Sequence, residues 1–318
     1  MDNLYKAMLY QRPDAIPVRV GILPRAWMKY RDELDAIARR HPLIFGDPSA
    51  AARNYDQVDG RYVQGVQTDC WGCVWSNIAA GRASIVTGHP LPTRADVHKL
   101  KVPKEDPGFV HGFMYLRLGD LRGFEELMVD FAEEPPELQM LIDVVLEHNL
   151  RQGKLLLETL KEPQLTWFGD DLGMQSGLAM GAEKWRKYMK PCFQAIYEPF
   201  KKAGHYIYMH TDGCIHEIIP DLVECGVNVI NPQYRANGLD NIVRVCKGKV
   251  CADLDLDRQM FPFATPEELD AHVKGAVEAL GSPEGGLWVL AEISDDIPLV
   301  NIEAICCALD KYSTFFSS

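Results

Sequence analysis

Long apolar segments are absent from this sequence. No stretch approaches the ~18 consecutive apolar residues that a membrane-spanning helix needs, so we expect no membrane segment. Residues 1–6 also lack the basic-then-apolar order of a secretory signal peptide. Both absences favour a cytoplasmic protein.

Basic residues are too few for a nucleic-acid-binding surface. The 33 Lys and Arg residues are outnumbered by 45 Asp and Glu residues, which gives a formal net charge of −12. Because a nucleic-acid binder needs a basic face to neutralise phosphates, we expect no nucleic-acid partner. The 47% of hydrophobic residues is ordinary for a globular protein.

Two sequence signatures of other protein classes are missing or incomplete. No G-x-G-x-x-G follows a predicted strand, which removes the main argument for a dinucleotide-binding fold.

The nine cysteines are odd in number and irregularly spaced, so we expect reduced thiols. Cys70 and Cys73 match the C-x-x-C of a redox dithiol, but extended apolar residues follow where such a dithiol needs a helix. We predict instead that the neighbouring Asp69 and Trp71 line a substrate pocket.

Strand-like and helical segments alternate through the C-terminal two thirds of the chain. Each predicted strand is followed by a polar loop and a predicted helix; the strands cover residues 164–169, 205–209, 227–230, 249–253 and 287–291. This order predicts parallel βα units. We therefore predict an α/β fold, a (β/α)8 TIM barrel over residues 61–318, with residues 1–60 as an N-terminal extension packed on it.

Two local features add to this prediction. Residues 111–118 have the aromatic and apolar character of another strand. Thr265 is predicted to be the N-cap of a helix over residues 266–280, because Glu268 stands three residues later and completes a capping box.

Polar residues at the strand ends indicate where the chemistry lies. The strand over residues 205–209 ends at His210, and Asp212 follows two residues later. In a parallel α/β fold the C-terminal strand ends carry the active site, so both side chains could reach one bound atom. A purely structural His–Asp hydrogen bond is the alternative. The other strand ends are also rich in acidic and amide groups and predict an acidic mouth; these residues are Asp170, Asp171, Gln175, Asn231, Gln233, Asp255, Asp257 and Glu292.

Several segments, in order, resemble the uroporphyrinogen-decarboxylase-like superfamily. They are residues 11–18 (QRPDAIPV), 121–126 (LRGFEE), 169–175 (GDDLGMQ), 210–213 (HTDG), 219–233 (IPDLVECGVNVINPQ), 263–268 (FATPEE) and 297–302 (IPLVNI). The resemblance extends over nearly the whole chain and implies a (β/α)8 barrel. It also implies one of two activities: cofactor-free decarboxylation of uroporphyrinogen, or corrinoid-linked methyl transfer, usually at zinc.

The resemblance favours the corrinoid-dependent methyltransferase branch. The decarboxylase branch has an arginine-rich N-terminal stretch, whereas Arg12, Arg19 and Arg25 are scattered here. An acidic mouth would also oppose a substrate with many carboxylates. The methyltransferase branch has a zinc-binding His-x-Cys at the strand end that His210 occupies, with a further Cys near the last strand. In this sequence Asp212 and Glu292 stand in place of those cysteines.

The resemblance therefore implies a zinc site without sulfur. The predicted metal ligands are His210, Asp212 and Glu292, and the predicted catalytic residues are His210, Asp212 and Asp171. Such ligands suit activation of an oxygen rather than a thiol. The predicted substrate-binding residues supply aromatic walls and polar groups; they are Asp69, Trp71, Trp167, Gln175, Asn231 and Gln233.

The expected function is transfer of a methyl group from a methylated small molecule, such as an aryl methyl ether, to a corrinoid protein. Cobalamin would be carried by that partner, and a metal would act as Lewis acid. A homodimer is expected from the frequency of such assemblies. Two alternatives stay open: a uroporphyrinogen-type decarboxylase, and a non-catalytic protein that binds a corrinoid or tetrapyrrole.

Overall fold

Strands and helices follow one another in the predicted order. A computed structural model describes residues 2–46, 53–106 and 109–316. The strands in these ranges are β1 (Val18–Ile22), β2 (Gly65–Thr68), β3 (Val74–Asn77), β4 (Ile85–Gly88), β5 (Leu165–Gly169), β6 (Tyr206–His210), β7 (Val227–Asn231), β8 (Cys251–Asp255) and β9 (Leu287–Ile293).

Helices occupy most of the segments between the strands. They are α1 (Asn3–Met8), α2 (Pro24–Arg40), α3 (Pro42–Phe45), α4 (Tyr115–Arg122), α5 (Phe124–Glu133), α6 (Pro136–Thr159), α7 (Gly181–Lys184), α8 (Lys190–Lys202), α9 (Ile219–Cys225), α10 (Tyr234–Asn237), α11 (Leu239–Cys246), α12 (Pro266–Leu280) and α13 (Leu299–Ser313). A π-helical turn, Trp185–Met189, joins α7 to α8. Of the helices in the described ranges, none combines the length and apolar character needed to cross a membrane.

The main sheet has six strands in the order β1-β9-β8-β7-β6-β5. Its βα alternation confirms the predicted α/β fold of the TIM-barrel class. Within the described residues the sheet has fewer regular strands than the eight expected. A single parallel bridge joins His111 to Gly169, the last residue of β5. A separate sheet has the order β2-β3-β4, and β3 pairs with β4 in antiparallel fashion.

The chain divides into two compact units. The first unit comprises residues 1–65, 77–84 and 231–318. In it, β1 pairs in parallel with β9, and β8 pairs in parallel with β9. Every residue of β8 is buried, and helices α12 and α13 pack against each other. The predicted boundary after residue 60 stays a prediction.

The second unit comprises residues 66–76 and 85–230 and has an aromatic core. Phe168 of β5 lies at its centre, with its ring centroid 5.6 Å from that of Phe113, 5.1 Å from Tyr197 and 5.3 Å from Phe200. All four side chains are fully buried or nearly so. Because one face of β5 packs on this aromatic core, the alternate residues of the strand lie on its opposite face.

Two local predictions have opposite outcomes. Thr265 does cap α12: its side chain accepts a hydrogen bond from Glu268 N–H, and the capping box is complete, so that prediction is confirmed. The strand predicted over residues 111–118 is wrong. Only His111 forms a bridge, and α4 begins at Tyr115. The reason is a tertiary contact, since the Asp170 carboxylate accepts the N–H groups of α4's first turn.

Candidate functional site

The ends of β5 and β6 lie side by side in the second unit. Gly169 pairs with His210 in the parallel register, so both strands end at the same level. The N–H of Asp170 donates to the carbonyl of His210 at 3.0 Å. The register therefore brings the loops after Gly169 and His210 together, as expected for parallel strands.

His111 approaches this edge from the preceding segment. It bridges to Gly169, and a Cβ added to Gly169 would lie 2.7 Å from His111 Cδ2 and 2.9 Å from Trp167 Cη2. Position 169 therefore accepts only a glycine without movement of these rings. The absence of a side chain there lets two rings close over the strand end.

Three possible metal ligands converge at this edge. One ligand atom each from His111, Asp171 and His210 lies within 4.8 Å of the other two. His210 Nε2 lies 3.6 Å from Asp171 Oδ1 and 3.8 Å from Asp212 Oδ1. We call His111, Asp171 and His210 the strand-end triad. The three predicted catalytic residues, His210, Asp171 and Asp212, thus lie close together, whereas His111 was not among the predicted residues.

Trp167 forms an aromatic wall beside the triad. Its ring stacks on His111 at a centroid distance of 5.8 Å and on His210 at 6.1 Å, with interplanar angles of 12° and 17°. It is 40% exposed although it lies within β5. A partly exposed tryptophan beside polar ligands is typical of a small-molecule site.

The fold agrees with comparisons to known proteins. The family model for uroporphyrinogen decarboxylase (URO-D) matches residues 108–312, well over half of the chain. The chain belongs to the uroporphyrinogen decarboxylase family. A methyltransferase from Methanosarcina mazei has a similar fold: the TM-score is 0.64 at 16% identity, with 97% of each chain covered. No curated protein sequence matched.

Asp170 lies in the family segment GDDLGMQ and connects it to the start of α4. It is fully buried, and its carboxylate accepts N–H groups of Met114, Tyr115 and Leu116 at 3.2, 2.6 and 2.9 Å. Burial raises the pKa of Asp170 to about 7, against the lowering effect of these donors. Asp170 therefore positions α4, while the adjacent Asp171 belongs to the strand-end triad.

Polar contacts also tie the loops of the triad to each other. Asp212 N–H donates to Asp171 Oδ1 at 3.1 Å, and Gly173 N–H donates to the Asp212 carbonyl at 3.1 Å. Leu172 N–H donates to Thr211 Oγ1 at 3.0 Å. These bonds hold the two loops together and tie the Asp171 carboxylate to the backbone of Asp212. Gln175, further along the first loop, is exposed.

Asp69 and Trp71 lie in a buried polar network of the second unit. The Asp69 carboxylate accepts from Trp71 N–H, Cys73 N–H, Trp75 Nε1 and Arg117 Nη1, each at 2.9 or 3.0 Å. Trp71 is 3% exposed, and its Nε1 donates to Asp106 Oδ2 at 2.9 Å. These contacts satisfy both side chains within the protein, so their predicted contact with substrate stays a prediction.

The C-x-x-C thiols are not activated. Burial raises the pKa of Cys73 to about 12, and its Sγ donates to the Asp120 carbonyl at 3.3 Å. The pKa of Cys70 is also raised, chiefly by burial. A redox dithiol needs a lowered thiol pKa, so the raised values argue against a redox role for this pair, in line with the extended residues that follow it in the sequence.

The remaining predicted residues belong to the first unit. Asn231 is buried at the end of β7, and its Nδ2 donates to the Asp253 carbonyl at 2.6 Å. Gln233 forms a parallel bridge with Asp255. Glu292 accepts a hydrogen bond from Arg258, which also pairs with Asp255. Glu292 is thus neutralised by an arginine, and its predicted role as a metal ligand stays a prediction.

Arginines pair with several acidic residues in β8, just after it and in β9. Arg19 pairs with Asp253, Arg235 pairs with Asp257 at 2.7 Å, and Arg258 pairs with both Asp255 and Glu292. The sequence predicts an acidic mouth, whereas the structure pairs these acidic groups with arginines. Arg258 lies three residues after Asp255, whereas Arg19 of β1 reaches Asp253 only through the fold.

His111 is a functional residue that the sequence pattern does not indicate. It lies in the segment predicted as a strand over residues 111–118. A signal was available in the two glycines, Gly112 after His111 and Gly169 opposite it, which permit close approach. Their pairing, however, depends on the register between distant segments.

Proposed function

We propose that this member of the uroporphyrinogen decarboxylase family is a corrinoid-dependent methyltransferase. It would remove the methyl group from a methylated small molecule, such as an aryl methyl ether, and pass it to the cobalt of a separate corrinoid protein. The observation that carries the proposal is the strand-end triad, a group of metal-ligand atoms within 4.8 Å beside an exposed aromatic wall.

The donor set of the triad fits a catalytic zinc site. Two imidazoles and one carboxylate are a known zinc ligand set, and catalytic zinc keeps a fourth position open for substrate. Asp212, 3.8 Å from His210 Nε2, offers a further carboxylate. Bound there, zinc would act as a Lewis acid on the ether oxygen of the substrate. The absence of sulfur suits an oxygen leaving group.

The protein side chains orient both the metal ligands and the substrate. Asp171 and Asp212 flank His210 Nε2, and the backbone bonds between their loops hold that arrangement. The Trp167 ring, stacked on His210, offers a surface on which an aromatic ring can lie parallel. A methoxy group on that ring would then face the triad.

The overall reaction balances without another reactant. The carbon–oxygen bond breaks, and the oxygen keeps the bonding pair and takes up a proton. The new carbon–cobalt bond uses the electron pair of reduced cobalt, which is oxidised from Co(I) to Co(III). Asp212 beside the triad is 42% exposed, so that proton can come from solvent.

The fold shared with the M. mazei methyltransferase supports this choice within the family. One observation favours decarboxylation as the second candidate, namely that Arg258 lies just after the end of β8 and could bind substrate carboxylates. It already pairs with Asp255 and Glu292, so a polycarboxylate would have to displace those partners. Methyl transfer needs no such exchange.

The activity test uses the whole protein with a reduced corrinoid protein and a methoxylated phenol. We expect formation of methyl–cobalt and of the free phenol, both lost in His210→Ala. His98→Ala is the matched control, since His98 is an exposed histidine outside the triad. Release of carbon dioxide from a porphyrinogen, with no methyl–cobalt from any methoxylated compound, would establish the decarboxylase instead. Corrinoid-protein binding without turnover of either substrate would leave the non-catalytic alternative.

Metal analysis of variants separates the ligand sets. We expect His111→Ala, Asp171→Asn and His210→Ala each to lose one equivalent of zinc. Asp212→Asn tests the ligand predicted from sequence, and Glu292→Gln tests the predicted third ligand. Zinc retained in all three triad variants but lost in Glu292→Gln would contradict the strand-end triad as the metal site.

A further inference from the structure

A second group of metal-ligand side chains lies in the first unit, away from any strand end. His41 stands at the junction of α2 and α3, while Glu303 and Cys307 lie four residues apart on α13 and so share one face of that helix. One ligand atom from each lies within 4.8 Å of the other two. We call these residues the His41 cluster.

The imidazole of His41 is held in the orientation that a metal ligand requires. Its ring is buried, and Nδ1 lies 2.6 Å from Asp310 Oδ2. Carboxylates face both ring nitrogens, so a metal at Nε2 would take the place of a proton shared with Glu303, while Nδ1 keeps its hydrogen bond to Asp310. Nε2 lies 3.2 Å from Glu303 Oε1. Metal-binding histidines commonly donate their second ring N–H to a carboxylate in this way.

We propose that His41 Nε2, the Glu303 carboxylate and the Cys307 thiolate form a zinc site distinct from the strand-end triad. Imidazole nitrogen, carboxylate oxygen and thiolate sulfur are the three donor types that zinc takes in proteins. The separation of His41 Nε2 from Glu303 Oε1 is close to that between two ligands of one tetrahedral ion. Cys307 is exposed, so an ion could reach the site from solvent.

Arg40 forms a two-point ion pair with Glu303. Its Nε donates to Glu303 Oε1 at 3.1 Å, and its Nη2 donates to Oε2. The Arg40 side chain is 55% exposed, so it can swing into solvent when a cation takes its place. Arginine and metal would compete for one carboxylate, which predicts that removal of Arg40 tightens metal binding.

Such an ion would join segments that are far apart in the chain. His41 follows α2, whereas Glu303 and Cys307 belong to the last helix. An ion bound to His41 and to the two α13 residues would link the α2–α3 junction to α13, and only in the folded protein. Metal binding would therefore add to the stability of the first unit.

Cobalt(II) titration of the whole protein tests the site with a readout that the strand-end triad cannot produce. A cobalt–thiolate bond has a near-ultraviolet charge-transfer band, and the triad contains no sulfur. We expect the band in wild type, its loss in Cys307→Ser, and its displacement by zinc. Cys70→Ser is the matched control, because Cys70 is the other exposed cysteine. His210→Ala should keep the band, so failure of the proposed function leaves this result intact.

Two further variants test the contacts around the ligands. Asp310→Asn should weaken metal affinity by about 10-fold to 100-fold, the usual effect of losing a carboxylate behind a ligand histidine. Arg40→Ala should strengthen it, whereas Arg39→Ala, at the neighbouring position, should leave it unchanged. No band in wild type, or a band of equal intensity in Cys307→Ser, would overturn the proposal. Equal affinity in wild type and Asp310→Asn would overturn the role given to Asp310.

Discussion

The pKa values of two carboxyl groups in this protein are shifted in opposite directions, because their surroundings differ. Glu134 is exposed, and hydrogen bonds from Lys184 and Lys187 lower its pKa to about 2. Asp120 is mostly buried, and burial raises its pKa from 3.8 to about 6, although Arg117, 3.8 Å away, lowers it. The same functional group thus favours opposite charge states at mildly acidic pH.

Asp120 should make stability depend on pH in a defined window. The folded chain keeps its proton up to about pH 6, whereas the unfolded chain loses it near pH 3.8. Because the folded state then binds more protons, the free energy of unfolding falls as pH rises through that window, by about 3 kcal/mol. Asp120→Asn removes the titrating group and therefore this fall in the free energy of unfolding. We expect the variant to gain stability relative to wild type between pH 4 and pH 7, measured by urea unfolding. A difference that is constant over this range would contradict the assignment to Asp120.

Loops of the candidate site are packed backbone against backbone. A Cβ added to Gly173, after β5, would lie 2.5 Å from Cys214 N and 2.7 Å from Gly213 C. A Cβ on Gly213 would lie 2.1 Å from the Gly173 carbonyl oxygen. Contacts this close cannot be relieved by side-chain rotation, so the two glycines set the spacing between Asp171 and Asp212.

Gly173→Ala should therefore damage the site. We expect a loss of about 1–3 kcal/mol in the free energy of unfolding, the usual cost of overpacking, together with loss of metal at the strand-end triad. Gly275→Ala is the matched control, because Gly275 lies within α12 and an added Cβ meets nothing within 4 Å. That control should gain up to about 1 kcal/mol from helix propensity. Wild-type stability and metal content in Gly173→Ala would show that the loops are not so tightly packed.

Binding to the folded state links both proposed metal sites to the stability of the whole molecule. The ligands of each site come from separate parts of the chain, so neither site exists once the protein unfolds. A ligand that binds only the folded chain raises the free energy of unfolding by about 2.7 kcal/mol at a concentration 100 times its dissociation constant.

Zinc should accordingly raise the unfolding temperature of wild type in a concentration-dependent manner. His210→Ala and Cys307→Ser should each retain part of that rise, because one site survives in each. The double variant should show no rise in differential scanning calorimetry, and the chelated wild type should match it. A full rise in the double variant would mean that zinc binds elsewhere.

The sequence alone was sufficient to predict features that depend on residues close together in the chain. The alternation of strands and helices, the capping of α12 by Thr265 and the position of His210 at a strand end all follow from local periodicity and turn chemistry. The family resemblance rested on similarly short segments, and the family is confirmed.

Only the tertiary structure decided which distant side chains meet. His111 joins the triad because the segment before α4 bridges to Gly169, and α4 starts at Tyr115 because Asp170 accepts its first N–H groups. The pairing of Glu292 with Arg258 likewise joins two different βα units. Such contacts depend on strand register and loop packing, which no single segment of sequence encodes.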